Sequence, residues 1–178
     1  AHCGLGHACN SLGKYKEAIE AFKQAIRLDP DDAEVHNSLG AAYGELGMHK
    51  EAIESFKQAV RINPDYADAH YNLGNAYHEL GKYKEEIESY KQAIRINPDM
   101  AEAHNNLGAA YDESGMYEEA VEACKQAIRI NPDDADAHFD LGVAYHFSND
   151  RGSAMEQYKI LKTLDPERAN KLFNLINE

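Results

Sequence analysis

Tryptophan is absent from this 178-residue chain, and cysteine is scarce. Cys3, Cys9 and Cys124 are too few and too scattered for a disulfide framework. Cys3 and Cys9, six residues apart, cannot bridge within one helix. Free thiols fit a reducing compartment, so the expected location is cytoplasmic. No apolar run approaches the ~18 residues needed to cross a bilayer, which argues against a membrane protein. Positive charge is also short: 18 Lys and Arg stand against 31 Asp and Glu, a net charge of −13. That balance argues against a nucleic-acid partner, which requires a basic face for phosphates. A Gly-rich phosphate loop, a nucleophile elbow and a zinc-protease helix are all missing. The expectation is a non-enzyme without cofactor. An apolar content of 43% is nonetheless too high for a disordered acidic tail.

Proline is rare but ordered. Pro30, Pro64, Pro98, Pro132 and Pro166 are the only prolines, each 34 residues after the last. A fixed period of this length indicates repeats rather than one globular domain. Other columns fall into the same register. Leu-Gly recurs at Leu5-Gly6, Leu39-Gly40, Leu73-Gly74, Leu107-Gly108 and Leu141-Gly142. Tyr43, Tyr77, Tyr111 and Tyr145 follow, with Cys9 in the first repeat. Gly13, Gly47, Gly81 and Gly115 come next, with Asn149 in the last. Then come Ala18, Ala52, Ala120 and Ala154, with Glu86 as the exception. Phe22, Phe56, Tyr90, Cys124 and Tyr158 form a further column.

These spacings predict two helices per repeat. Leu39, Tyr43 and Leu46 mark one stripe of a 3.6-residue period, and Ala52, Ile53, Phe56, Ala59 and Val60 mark the next. Gly47 between them suits the left-handed residue that ends a helix, and Asn149 is the usual substitute. Small residues at Gly40 and Ala52 let the two helices approach closely. The proline ends the second helix. The Asp after it (Asp31, Asp65, Asp99, Asp133) is expected to cap the next helix, with another acid three residues on.

The pattern Leu-Gly-x2-Tyr…Ala-x3-Phe-x2-Ala-x4-Pro resembles the tetratricopeptide repeat. The resemblance covers five repeats, at residues 1–32, 33–66, 67–100, 101–134 and 135–168. Residues 169–178, with Leu172, Phe173, Leu175 and Ile176, resemble the end of a C-terminal capping helix. Where the family often has Trp, this chain has His2, His36, His70, His104 and His138. These are expected to fill the Trp site, half-buried between helices. Because Ala1 lies two residues into the frame, the chain is expected to be a piece of a longer array. The resemblance implies an all-α fold: a right-handed superhelical solenoid of antiparallel helix pairs, first helices concave and second helices convex. It also implies a protein-interaction scaffold that holds a partner peptide in the concave groove.

All 18 Lys and Arg lie outside the first helices of the repeats, which carry acids instead. By analogy with the family, the groove-facing residues include nine acids and no Lys or Arg: Glu34, Glu45, Asp68, Glu79, Glu102, Asp112, Glu113, Asp136 and Asp140. The expected partner is a basic or neutral-polar peptide. Glu34, Asp68, Glu102 and Asp136 read equally well as helix-start acids. Asn72 and Asn106 share a column and resemble the asparagine ladder of the superhelix attached to O-linked N-acetylglucosamine transferase. Such amides can bond an extended peptide backbone. The candidate binding residues are Asn37, Tyr71, Asn72, Asn75, His78, Glu79, Asn105, Asn106, Asp112, Phe139, Asp140, His146 and Phe147. Tyr71, Phe139 and Phe147 serve as aromatic anchors or as packing against a neighbouring repeat, Phe147 also against the capping helix. The carboxylate clamp for chaperone tails ending in Glu-Glu-Val-Asp needs groove cations, so such tails should not bind.

Cys3 and His7 are four apart on one helix beside His2, which could seat two metal ligands. A site needs three or four, so no metal is expected. Two other readings of the whole chain stand beside the scaffold. One is self-association through open solenoid ends, where the uncapped first repeat exposes apolar surface. The other is a substrate-recruiting arm of a larger enzyme such as a glycosyltransferase.

Overall fold

The computed structural model describes residues 2–178. Among them are eleven α-helices and no strands, and the chain forms two compact units, Ala1–Ile96 and Asn97–Glu178. None of the helices is long and apolar enough to cross a membrane.

The first unit contains α1 (His2–Ser11), α2 (Tyr15–Leu28), α3 (Ala33–Glu45), α4 (His49–Ile62), α5 (Ala67–His78) and α6 (Tyr83–Ile96). Each odd helix turns through a few residues into the even helix it packs against. The reversal depends on one left-handed residue: Gly13, Gly47 and Gly81 have φ of 71°, 70° and 63°. Glycine meets that conformation without steric cost. A second glycine column governs how closely the paired helices approach. A Cβ on Gly40 would lie 2.6 Å from the Phe56 ring, and one on Gly74 would lie 2.5 Å from the Tyr90 ring. Ala52, opposite, is fully buried. Successive pairs share a core, in which Ala18, Phe22, Val35 and Leu39 form one cluster, and Ala52, Phe56, Leu73 and Tyr77 form the next.

The second unit contains α7 (Ala101–Glu113), α8 (Tyr117–Ile130), α9 (Ala135–Phe147), α10 (Arg151–Leu164) and α11 (Pro166–Asn177). The reversals here are made at Gly115 (φ 73°) and Asn149 (φ 62°), the latter confirming asparagine as the substitute. Pro166 does not simply end α10. It opens α11 as a separate helix, where its missing N–H costs nothing. Asp165 caps α11 by accepting from the backbone N–H groups of Glu167 and Arg168. Leu172 and Ile176 are buried against Ala154 and Leu161. Leu172, and not Tyr158, fills the space above Gly142, so α11 replaces the contact that Phe56 and Tyr90 make in the first unit. Tyr158 packs instead against Phe173 of α11, ring centroids 5.1 Å apart.

The helix starts differ from expectation by one residue. The caps are Asp32 and Asp134, whose carboxylates accept from the second and third N–H groups of α3 and α9. At the equivalent positions of α5 and α7 stand Tyr66 and Met100, without a side-chain cap. Asp31, Asp65, Asp99 and Asp133 are one position too early to reach those donors. The histidine column has a definite task. Nε2 of His36, His70, His104 and His138 donates to the carbonyl of Pro30, Pro64, Pro98 and Pro132 at 2.9–3.0 Å. Each ring thereby ties its helix to the loop that enters it. His138 is buried, with Nδ1 2.7 Å from the side-chain amide of Gln157, while the other three are half-buried.

Candidate peptide-binding groove

The odd helices of the repeats carry no Lys or Arg, and the structure shows where the cations go instead. Lys23, Lys57 and Lys125 lie over the rings of Tyr43, Tyr77 and Tyr145 at 5.7–6.0 Å, each reaching from an even helix to the next odd one.

In the first unit, α3 and α5 place Asn37, Asn72, Asn75 and Glu79 around a cavity of about 400 Å³ or its margin. Ala52 and Phe56 give it an apolar floor, and Glu45, Glu79 and His49 form its polar rim. His49 Nε2 is 3.9 Å from Glu79 Oε2. The amides are engaged, one pair across two repeats and Asn75 within its own. Asn72 Nδ2 donates to Asn37 Oδ1 at 3.1 Å, and the Tyr90 hydroxyl donates to Asn75 Oδ1 at 2.7 Å. The bond to Asn37 uses one N–H of Asn72 and leaves the second N–H and the carbonyl oxygen of the amide. Tyr71 lies against Tyr90, centroids 5.8 Å apart. His78 faces the carboxylate of Glu86, Nδ1 to Oε1 at 3.1 Å. Glu86, the exception in the alanine column, is almost fully buried there, an arrangement the sequence did not reveal. A larger furrow of about 570 Å³ runs between α5 and α6, lined by His70, Leu73 and Tyr77, and was not anticipated. On the first helix pair Leu5 and Leu12 are exposed, while His7 packs edge-on against Phe22.

In the second unit, α7 and α9 bring Asn105, Asp112 and Asp140 together, with Asn106 half-buried beside Asn105. Asn105 is buried, and its Nδ2 donates to Asp140 Oδ2 at 3.0 Å. Burial pushes Asp140 up to about 7, opposed by the Asn105 hydrogen bond and reinforced by the charges of Asp136 and Asp112. Asp112 is also raised, by burial and then by Glu113. The Cys124 thiol beneath them is pushed far up, by burial and by the charges of Asp140 and Asp112. Phe147 packs against the preceding repeat: it stacks on Tyr117, centroids 5.4 Å apart, with His146 edge-on to it at 5.1 Å. Phe139 is packed against the core that α10 and α11 share, which takes it away from the groove anchors.

A family model described as TPR repeat matches residues 6–47, 45–81 and 74–115. The chain belongs to the tetratricopeptide repeat family. Two further tetratricopeptide models match residues 101–134 and 123–159. The crystal structure of MamA is 30% identical, with 95% of this chain and 92% of that one covered and a TM-score of 0.86. A thermophilic TPR protein of Thermus thermophilus is 25% identical over 99% of this chain and 98% of its own, with a TM-score of 0.70. YrrB, described as a TPR protein with an unusual peptide-binding site, shares the fold at 24% identity. Its match covers 97% of this chain and 90% of YrrB, with a TM-score of 0.85. No curated protein matches. The fold class is accordingly the all-α solenoid of helical repeats expected from the sequence.

Proposed function

We propose that this tetratricopeptide repeat chain is a protein-interaction scaffold that holds basic or neutral-polar peptide segments against the odd helices of each unit. The observation that carries this reading is the cavity of about 400 Å³ between α3 and α5. Its floor is apolar, its rim holds Glu45 and Glu79, and the odd helices around it carry no positive side chain. Such a cavity accepts an aliphatic stem ending in a cation or a hydrogen-bond donor, and it repels an acidic segment. The description of YrrB as peptide-binding agrees with this use of the fold.

A peptide array probed with the whole chain tests it. Retained peptides should be basic or neutral-polar. Asn72→Ala combined with Glu79→Gln should weaken the best of them about tenfold, the worth of roughly one hydrogen bond to a polar ligand. An array that retains only acidic peptides, or binding unchanged in the double variant, overturns the reading.

A further inference from the structure

The second unit has a place with too many acceptors. The Oδ1 atoms of Asn105 and Asp112 are both buried without a hydrogen-bond partner. Asn105 is more than nine-tenths buried, and its amide points at Asp140 through the 3.0 Å bond. Asp140 in turn accepts from that same Nδ2. A buried acceptor left unmatched costs about 1–3 kcal/mol, and here two stand on one helix, Asn105 bonded to Asp140 and Asp112 acting on Asp140 by its charge. Arg168, the cation whose charge reaches Asp140, is engaged elsewhere. The odd helices α7 and α9 have no Lys or Arg. Arg168 of α11 is held by Asp165 and Asp136, and Lys125 of α8 lies over Tyr145.

The missing complement is a group with several N–H donors and a positive charge. Ala109, half-buried one turn along from Asn105 on the same face of α7, offers apolar surface for an aliphatic stem. A bare metal ion fits less well, because no third His, Cys, Asp or Glu among the described residues joins Asp112 and Asp140 at ligand distance. We propose that Asn105, Asp112 and Asp140 form a subsite that takes one arginine or lysine side chain of the bound peptide. The proposal rests on the scaffold reading and specifies the chemistry at one position of its ligand.

The subsite is pH-sensitive in a definite direction. Asp140 keeps its proton up to about 7, and a proton competes with a ligand cation. Affinity therefore falls as pH drops from 8 to 6. The groups around Asp140 come from each packed element: Asp112 of α7, the Cys124 thiol of α8, Arg168 of α11, and Asp136 and the buried His138 of α9, the last facing Gln157 of α10.

The test uses the whole chain and a library of peptides that each contain one Arg or Lys. The best binder is remade with citrulline, the neutral counterpart of arginine, or with norleucine for lysine. Both peptides are titrated by calorimetry into the wild type and into Asp140→Asn, whose amide can still accept from Asn105. Expected is a loss of about tenfold or more for the neutral peptide with the wild type. With Asp140→Asn that loss should shrink to about twofold, together with the pH dependence between 8 and 6. Circular dichroism of the variant confirms that it is folded, and Asp112→Asn serves as a second variant of the same design. An equal loss in wild type and both variants means the charge effect is diffuse and overturns the subsite while the scaffold reading stands. Tight binders that lack any cation do the same. Calcium or magnesium displacing the peptide in the wild type but not in the variants shows a metal site instead and also overturns it. If no peptide binds at all, both readings fall together.

Discussion

Asp140 carries its charge at a cost to folding. Its carboxyl titrates at about 7 in the native chain because burial disfavours the ion, whereas an unfolded aspartate titrates near ~3.9. The sign follows from which state holds the proton. Between about pH 4 and 7 the native state is protonated and the unfolded state is not, so raising the pH through this window draws the proton off the native carboxyl and destabilises the fold. Above about 7 the full penalty is present, and below about 4 it is gone. Asp140→Asn removes the charge and keeps the acceptor for Asn105. Thermal melts should show the variant more stable than wild type at pH 8, with the gain shrinking steadily as the pH is lowered to 5. A gain that does not change with pH, or a loss at pH 8, contradicts the assignment.

Between residue and molecule stands the helix pair, whose geometry depends on glycine in two different ways. Gly74 faces the Tyr90 ring so closely that a Cβ would lie 2.5 Å away, and Tyr90 is nearly fully buried with its hydroxyl held by Asn75. Gly44, inside α3, would place a Cβ in open space. Urea unfolding should therefore find Gly74→Ala destabilised by about 1–3 kcal/mol, the usual cost of overpacking. Gly44→Ala should be stabilised by up to about 1 kcal/mol, the helix-propensity gain. Equal effects at the two positions would show that the close approach is not what selects glycine. This scale was also the most legible in sequence. Gly13, Gly47, Gly81, Gly115 and Asn149 all adopt the left-handed backbone expected of them, because that requirement belongs to one residue and its neighbours. The caps were less so. Pro30-Asp31-Asp32 offers two acids to one spacing rule, and only the backbone turn decides that Asp32 reaches the donors. The groove pairs were not legible at all. Asn37 with Asn72, and Asn105 with Asp140, are 35 residues apart, so each contact comes from stacking one repeat on the next. Leu172 filling the space above Gly142 is hidden for the same reason, since it arrives from a helix outside the repeat.

For the whole chain, the −13 is not spread evenly. The helices α3, α5, α7 and α9 carry acids and no Lys or Arg, whereas the even helices carry both signs, and their Lys23, Lys57 and Lys125 are drawn onto Tyr43, Tyr77 and Tyr145. The lysine over each ring holds positive charge at a seam between helices, so it does not neutralise the acidic faces. A field of one sign from many partly exposed carboxylates acts mainly on encounter, because it extends about one Debye length, ~10 Å at 0.1 M salt. Contacts inside a cavity act mainly on escape. Stopped-flow measurement of a basic peptide from the array should thus show the association rate falling steeply between about 20 mM and 500 mM salt, with the dissociation rate changing much less. Asp140→Asn should behave oppositely, speeding dissociation and leaving most of the salt dependence of association in place, since one charge of many has been removed. If salt acts chiefly on dissociation in the wild type, attraction comes from a few short contacts and not from the acidic faces as wholes. The segregation of charge would then be a by-product of anchoring lysine on tyrosine.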